Sequence, residues 1–160
     1  MLRAILAILI LPFVAIVAVP YIIVATAGSA SIDLAKIWLL VGILPAGLGL
    51  YLMYSTISMF WNVGEGTLAP WDPPKKLVVR GIYRHVRNPM ITGVTLIIIG
   101  EAILFASIPM LVWAIAFFAA NIIYLPLVEE PQLEKRFGSD YATYKANVPR
   151  WLPRIKPWEP

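Results

Sequence analysis

The chain has 160 residues, of which 60% are apolar and only 14% charged, with a formal net charge of +4. Those proportions lie far from soluble usage and define an integral membrane protein. The absence of cysteine excludes disulfides, thiolate metal sites and cysteine nucleophiles, and the single histidine, His85, excludes a multi-histidine centre, so no metal is expected.

In chain order, residues 4–32, 37–64 and 102–128 carry no charge. Each run exceeds the roughly 20 residues that an α-helix needs to cross about 30 Å of hydrocarbon. Arg3, the first apolar run and Ala27-Gly-Ser-Ala30 also have the layout of a signal peptide. That run is long enough to span, so a retained first helix is the simpler reading. Pro12 and Pro20 in the first helix, and Gly42, Pro45, Gly47 and Gly49 in the second, read as kink and packing devices.

Past Phe60 the run of Gly64, Gly66, Pro70, Pro73 and Pro74 predicts an interfacial loop over residues 61–74, anchored by Trp61 and Trp71. A fourth apolar run, residues 88–105, is interrupted only by Glu101 and meets the next at Ala106-Ser-Ile-Pro109, which reads as the turn of a tight helical hairpin. After Glu130, Leu133, Phe137, Tyr141 and Tyr144 recur at spacings of three and four, predicting an amphipathic helix on the membrane or against the loop. The expected fold is an all-α integral membrane protein with about four transmembrane helices, the third short, a C-terminal helical hairpin and an amphipathic C-terminal helix. No repeat or linker divides the chain: residues 1–160 read as one membrane domain, with two transmembrane helices in 1–60 and the loop, hairpin and C-terminal helix in 61–160.

Lys75, Lys76, Arg80, Arg84 and Arg87 crowd one loop, and six more basic residues follow Glu130. The excess of positive charge on cytoplasmic loops puts both segments, and with four spans both termini, on the cytoplasmic side. The net charge therefore expresses topology, and no nucleic-acid partner is expected.

The residues also carry a resemblance. Lys76-Leu-Val-Val-Arg-Gly-Ile-Tyr83, then Arg87-Asn-Pro89, then Glu129-Glu130 with Phe137-Gly138, Tyr141, Tyr144 and Val148-Pro-Arg150 resemble the isoprenylcysteine carboxyl methyltransferase and phospholipid methyltransferase family. The resemblance implies methyl transfer from S-adenosyl-L-methionine to a lipophilic small-molecule or lipid acceptor. It implies a cofactor pocket built from the loop, the hairpin and the C-terminal helix. Carried over by position, the cofactor contacts fall on Lys75, Lys76, Leu77, Val78, Tyr83, Asn88, Pro89, Met90, Ile91 and Glu129, with Arg87 and Glu130 of the same motifs.

The chemistry of the residues agrees. Glu129 suits the ribose hydroxyls or the ammonium of such a cofactor, the backbone of residues 77 and 78 the adenine edge, and Tyr83 the adenine face or the sulfonium. In-line methyl transfer needs alignment and exclusion of water, and no nucleophilic side chain. The family commonly reads Arg-His-Pro-x-Tyr where this chain has Arg87-Asn-Pro-Met-Ile91, and the prenylcysteine enzymes carry an arginine where this chain has Leu125. The second departure argues against a prenylcysteine carboxylate and leaves an amine head group, a thiol or another lipid-soluble acceptor.

Two residues are candidates for catalysis itself. Glu101, an isolated carboxylate at membrane depth, reads as an acceptor contact or general base, or as the partner of a buried group. Arg150 reads as closing the cofactor's carboxylate or the acceptor, or as anchoring the tail beside Trp151 and Trp158. Arg84 suits a phosphate head group and His85 an interfacial position. Two other functions share parts of the pattern: an NADPH-dependent membrane reductase of steroid-reductase type, and a non-catalytic lipid-binding protein. The oligomeric state is not readable.

Overall fold

The computed structural model describes residues 10–27, 39–63 and 76–159. Among the described residues every regular element is helical. The helices are α1 (Ile10–Ala27), α2 (Leu39–Val63), α3 (Pro89–Leu104), α4 (Ile108–Phe137) and α5 (Ser139–Asn147), and a 3-10 turn, Gly81–Arg84, precedes α3. The all-α membrane fold expected from the composition is the one observed.

Three of the four expected spans, α1, α2 and α4, are long and apolar enough to cross a bilayer. The fourth, α3, has 16 residues, a rise of about 24 Å against about 30 Å of hydrocarbon. It is the inner helix of the bundle, packed against α2, α4 and the first turns of α1, with Val94, Thr95, Ile97, Ile98 and Ala102 buried. A helix walled by protein does not have to match the bilayer by itself. Val41, Leu44, Leu48 and Tyr51 of α2 recur at three- and four-residue spacing and are exposed, forming its lipid-facing stripe.

The inner face of α2 reads Gly42, Gly49, Thr56, and it runs antiparallel to α3. A Cβ on Gly49 would stand 2.5 Å from the Gly93 carbonyl oxygen, and one on Gly100 2.7 Å from that of Gly42. Hydrocarbon offers no hydrophobic drive between helices, so this close backbone approach and its dispersion contacts hold the pair together.

The hairpin forms where the sequence predicts it. Ser107 N–H donates to the Ala102 carbonyl at 2.9 Å and Ala106 N–H to that of Ile103 at 3.1 Å, closing α3 with Ala106 at φ +46°. Ser107 then caps α4, its hydroxyl accepting from Met110 N–H at 3.4 Å, and Pro109 occupies the first turn, where no N–H is needed.

Prolines widen two turns. In α1, residues Val14–Ala18 form a π turn in which Val19 N–H reaches the Val14 carbonyl. The next bond in that register would join Ala15 to residue 20, a proline without an N–H. The freed Ala15 carbonyl instead accepts from the Trp113 indole of α4 at 3.0 Å. In α4, Leu125–Glu129 form a second π turn beside Pro126 and Pro131, with Glu130 N–H donating to the Leu125 carbonyl. One extra residue in a turn rotates the succeeding side chains by about 100° around the helix axis and brings Glu130 into the interior.

Two expectations need correction. α2 continues through Trp61 to Val63, where a loop was expected, and residues 64–75 lie outside the described residues. The C-terminal amphipathic helix is not continuous: its first half prolongs α4, and Gly138, at φ +56°, breaks it from α5. The break lets α5 fold back, so that Tyr141, Tyr144 and Val148 bury against Leu77, Val79, Leu133, Phe137 and Trp158. The segment thus packs on the loop, one of the two placements its pattern allowed.

Candidate functional site

Residues 76–88 cross the end of the bundle between α2 and α3, and the C-terminal segment after α5 runs back over them as a strap. Arg87 N–H donates to the Pro149 carbonyl at 2.9 Å, Arg154 N–H to that of His85 at 3.0 Å and Trp158 N–H to that of Arg84 at 2.9 Å. Arg84 Nε also donates to the Trp158 carbonyl, at 2.6 Å, and its Nη2 pairs with exposed Glu159 at 2.9 Å.

At the centre of this end lies Glu130. Its Oε1 takes Arg87 Nη1 and Arg150 Nε, each at 2.8 Å, and its Oε2 lies 3.1 Å from Lys145 Nζ. The Arg87 and Glu130 side chains are 9% and 4% exposed, so this is a desolvated pair, held further by Arg87 Nε donating to the Val148 carbonyl at 2.9 Å. Arg87, Arg150 and Glu130, all expected at the site, are therefore brought together on one another, joining the loop, α4 and the strap. Lys145 completes the cluster and also pairs with Glu134 at 2.7 Å.

Glu129, the adjacent residue, is in the opposite circumstance. It is partly buried and has no hydrogen-bond or ion-pair partner among the described residues. Around it stand Tyr83 and Tyr141, whose hydroxyls feel its charge. Burial chiefly, then Tyr144 and Glu129, hold the Tyr83 hydroxyl well above its ordinary pKa, while burial and Glu130 lead the rise at Tyr141. Tyr144 is raised by burial too, and its hydroxyl donates to the Tyr83 carbonyl at 2.8 Å. These phenols stay protonated through the physiological range. A lone carboxylate beside aromatic rings, at an end of the bundle otherwise rich in cations, is a donor set for a small organic cation.

The remaining expected residues fall around this point. Val78 is buried against Tyr83, Met59 and Ile82, and Leu77 joins the aromatic cluster of α5. Lys76 is exposed, and Lys75 lies outside the described residues. Asn88 precedes α3, its carbonyl accepting from Thr92, and Pro89, Met90 and Ile91 form the first turn. Glu101 stands apart, about 18 Å of helix rise beyond Pro89 and one turn from the hairpin. Tyr141, read in the sequence as a motif residue and part of the amphipathic pattern, and Lys145, at the end of the same segment, were not assigned to the site.

The sequence model of the phospholipid methyltransferase family matches residues 37–140, and the chain belongs to that family. It is 29% identical over 105 residues to the phosphatidylethanolamine N-methyltransferase 1 of Vanderwaltozyma polyspora, a match over 61% of this chain. The matched part is 12% of that much longer relative. Family membership and the apolar helices together describe a multi-pass membrane protein.

Proposed function

We propose that the protein transfers a methyl group from S-adenosyl-L-methionine to the amine of a lipid at the cytoplasmic face of the membrane. The observation that carries the reading is the asymmetry of the two glutamates: Glu130 is ion-paired with Arg87, Lys145 and Arg150, and among the described residues Glu129 has no cation beside it, standing instead by Tyr83 and Tyr141. When bound, the cofactor supplies an electrophilic methyl group on a sulfonium. Glu129 would hold its ammonium or ribose hydroxyls, Tyr83 would pack on it, and residues 75–78 and 88–91 would frame the rest. Arg87 and Glu130 would act by fixing the loop and strap rather than by touching the ligand.

The family supports methyl transfer, and the name of the Vanderwaltozyma polyspora relative supports a lipid amine as acceptor. Leu125, fully buried, offers no cation to an acceptor carboxylate. The basic loop supports the cytoplasmic side.

Titration of the purified protein with S-adenosylhomocysteine, read by thermal shift beside NADPH and the Glu129→Ala variant, tests the reading. Stabilisation by the first ligand, lost in the variant, is expected. Stabilisation by NADPH alone would favour the reductase, and by neither the lipid-binding protein.

A further inference from the structure

The same loop that carries Tyr83 on one side walls a groove on the other. A cavity of about 510 Å³ lies between α2, the 3-10 turn, the first turn of α3 and the strap. Its walls are mostly apolar, with Leu52, Ile82, Val86 and Trp151 among them, and its rim at Tyr51 belongs to the lipid-facing stripe of α2. An apolar molecule in the bilayer would meet the groove at this rim. Pro89 belongs both to this wall and to the expected cofactor set, so the two sites meet at the start of α3.

His85 lines the groove, and its chemistry is fixed by the strap. Nδ1 lies 2.7 Å from the Arg154 carbonyl oxygen. A carbonyl oxygen only accepts, so Nδ1 carries a proton, and Nε2 is the nitrogen left to take or release the other. Among the described residues Nε2 has no hydrogen-bond partner. The charged and titratable groups around the ring are Arg84 on its own turn, Tyr51 on α2, and Arg154 and Glu159 on the strap; the groove wall from α3 is Pro89 and Thr92. Among the described residues no carboxylate lines the groove, and the Arg84 guanidinium there is paired with Glu159. The site thus suits an amine in its neutral, nucleophilic form.

Resting on the proposed function, we infer that this groove is the acceptor site and that His85 Nε2 is the base that takes the proton from the acceptor's ammonium. The N–H bond breaks with its electron pair staying on the amine nitrogen, the proton forms an N–H bond at Nε2, and the imidazolium returns it to water. The freed lone pair then forms the N–C bond as the methyl leaves sulfur, whose bonding pair stays behind.

Because His85 is the only histidine in the chain, ¹⁵N-histidine NMR of the whole protein in micelles reads it alone. The Nδ1–H tautomer is expected, with the Nε2 resonance moved by short-chain phosphatidylethanolamine and unmoved by phosphatidylcholine, whose ammonium has no proton to give. An Nε2–H tautomer, or equal response to both lipids, overturns the inference. In phosphatidylethanolamine vesicles His85→Asn, whose amide keeps the donation to Arg154, is expected to lose about a hundredfold or more of the transfer rate at pH 7. It should regain much of that at pH 9, where the amine deprotonates unaided, with S-adenosylhomocysteine binding unchanged. Loss under threefold at both pH values overturns the role of His85. Absence of cofactor binding in the wild type would instead overturn the proposed function, leaving the NMR result to decide the groove.

Discussion

Arg87 and Glu130 meet at 2.8 Å across 43 residues of sequence, and the contact joins the loop before α3 to the end of α4. Both side chains are nearly out of water, so neither charge is tolerable without the other. Glu130→Gln takes the carboxylate from three cations, of which, among the described residues, only Lys145 keeps another, Glu134, and should destabilise the protein by about 3–5 kcal/mol. Urea unfolding in detergent micelles measures it; a cost under about 1 kcal/mol would mean that water reaches the cluster.

Glu129→Gln should do the reverse. Among the described residues the side chain has no partner to lose, so the unfolding midpoint should hardly move. Affinity for S-adenosylhomocysteine should fall at least about tenfold, the scale of a hydrogen bond to a charged group. Equal stability losses in the two variants would place the two carboxylates in one structural role.

The α2–α3 contact carries its own control. Gly49→Ala puts a methyl 2.5 Å from the Gly93 carbonyl oxygen, whereas one on Gly47 would meet nothing within 4 Å. The first should cost about 1–3 kcal/mol and the second should be neutral or slightly stabilising. Paired unfolding curves check the difference.

Alkaline pH should destabilise this end of the protein. Tyr83, Tyr141 and Tyr144 have raised pKa values, chiefly from burial, and the Glu134 and Glu130 carboxylates raise that of Lys145. The unfolded chain releases these protons near pH 10, while the folded one still holds them. Stability is therefore full below that pH and falls as pH rises through the folded values. Melting temperature should be level from pH 7 to 9 and drop above about 10, more gently in Tyr144→Phe.

What the sequence disclosed was what local chemistry determines. Pro109 and Ser107 mark the hairpin because a proline and a capping hydroxyl act within one turn. Arg87 of the loop motif and Glu130 of α4 meet in the structure. The partition of work between Glu129 and Glu130 was not legible, because it depends on a π turn that swings one of two identical side chains inward. Arg150 was open to two readings for the same reason: its partner lies 20 residues away and is met only once α5 folds back at Gly138. Glu101 drew attention as a lone carboxylate in an apolar run, and only the direction of α3 reveals that it lies at the opposite end of the helix.

α1 is apolar on every side, so burial cannot choose which of its faces looks inward. In a bilayer such a rod is free to roll about its own axis. The bond that Pro20 fails to make leaves the Ala15 carbonyl as a polar mark on the rod, and Trp113 reads it. A missing N–H thereby becomes the key that sets the azimuth of the first helix against α4.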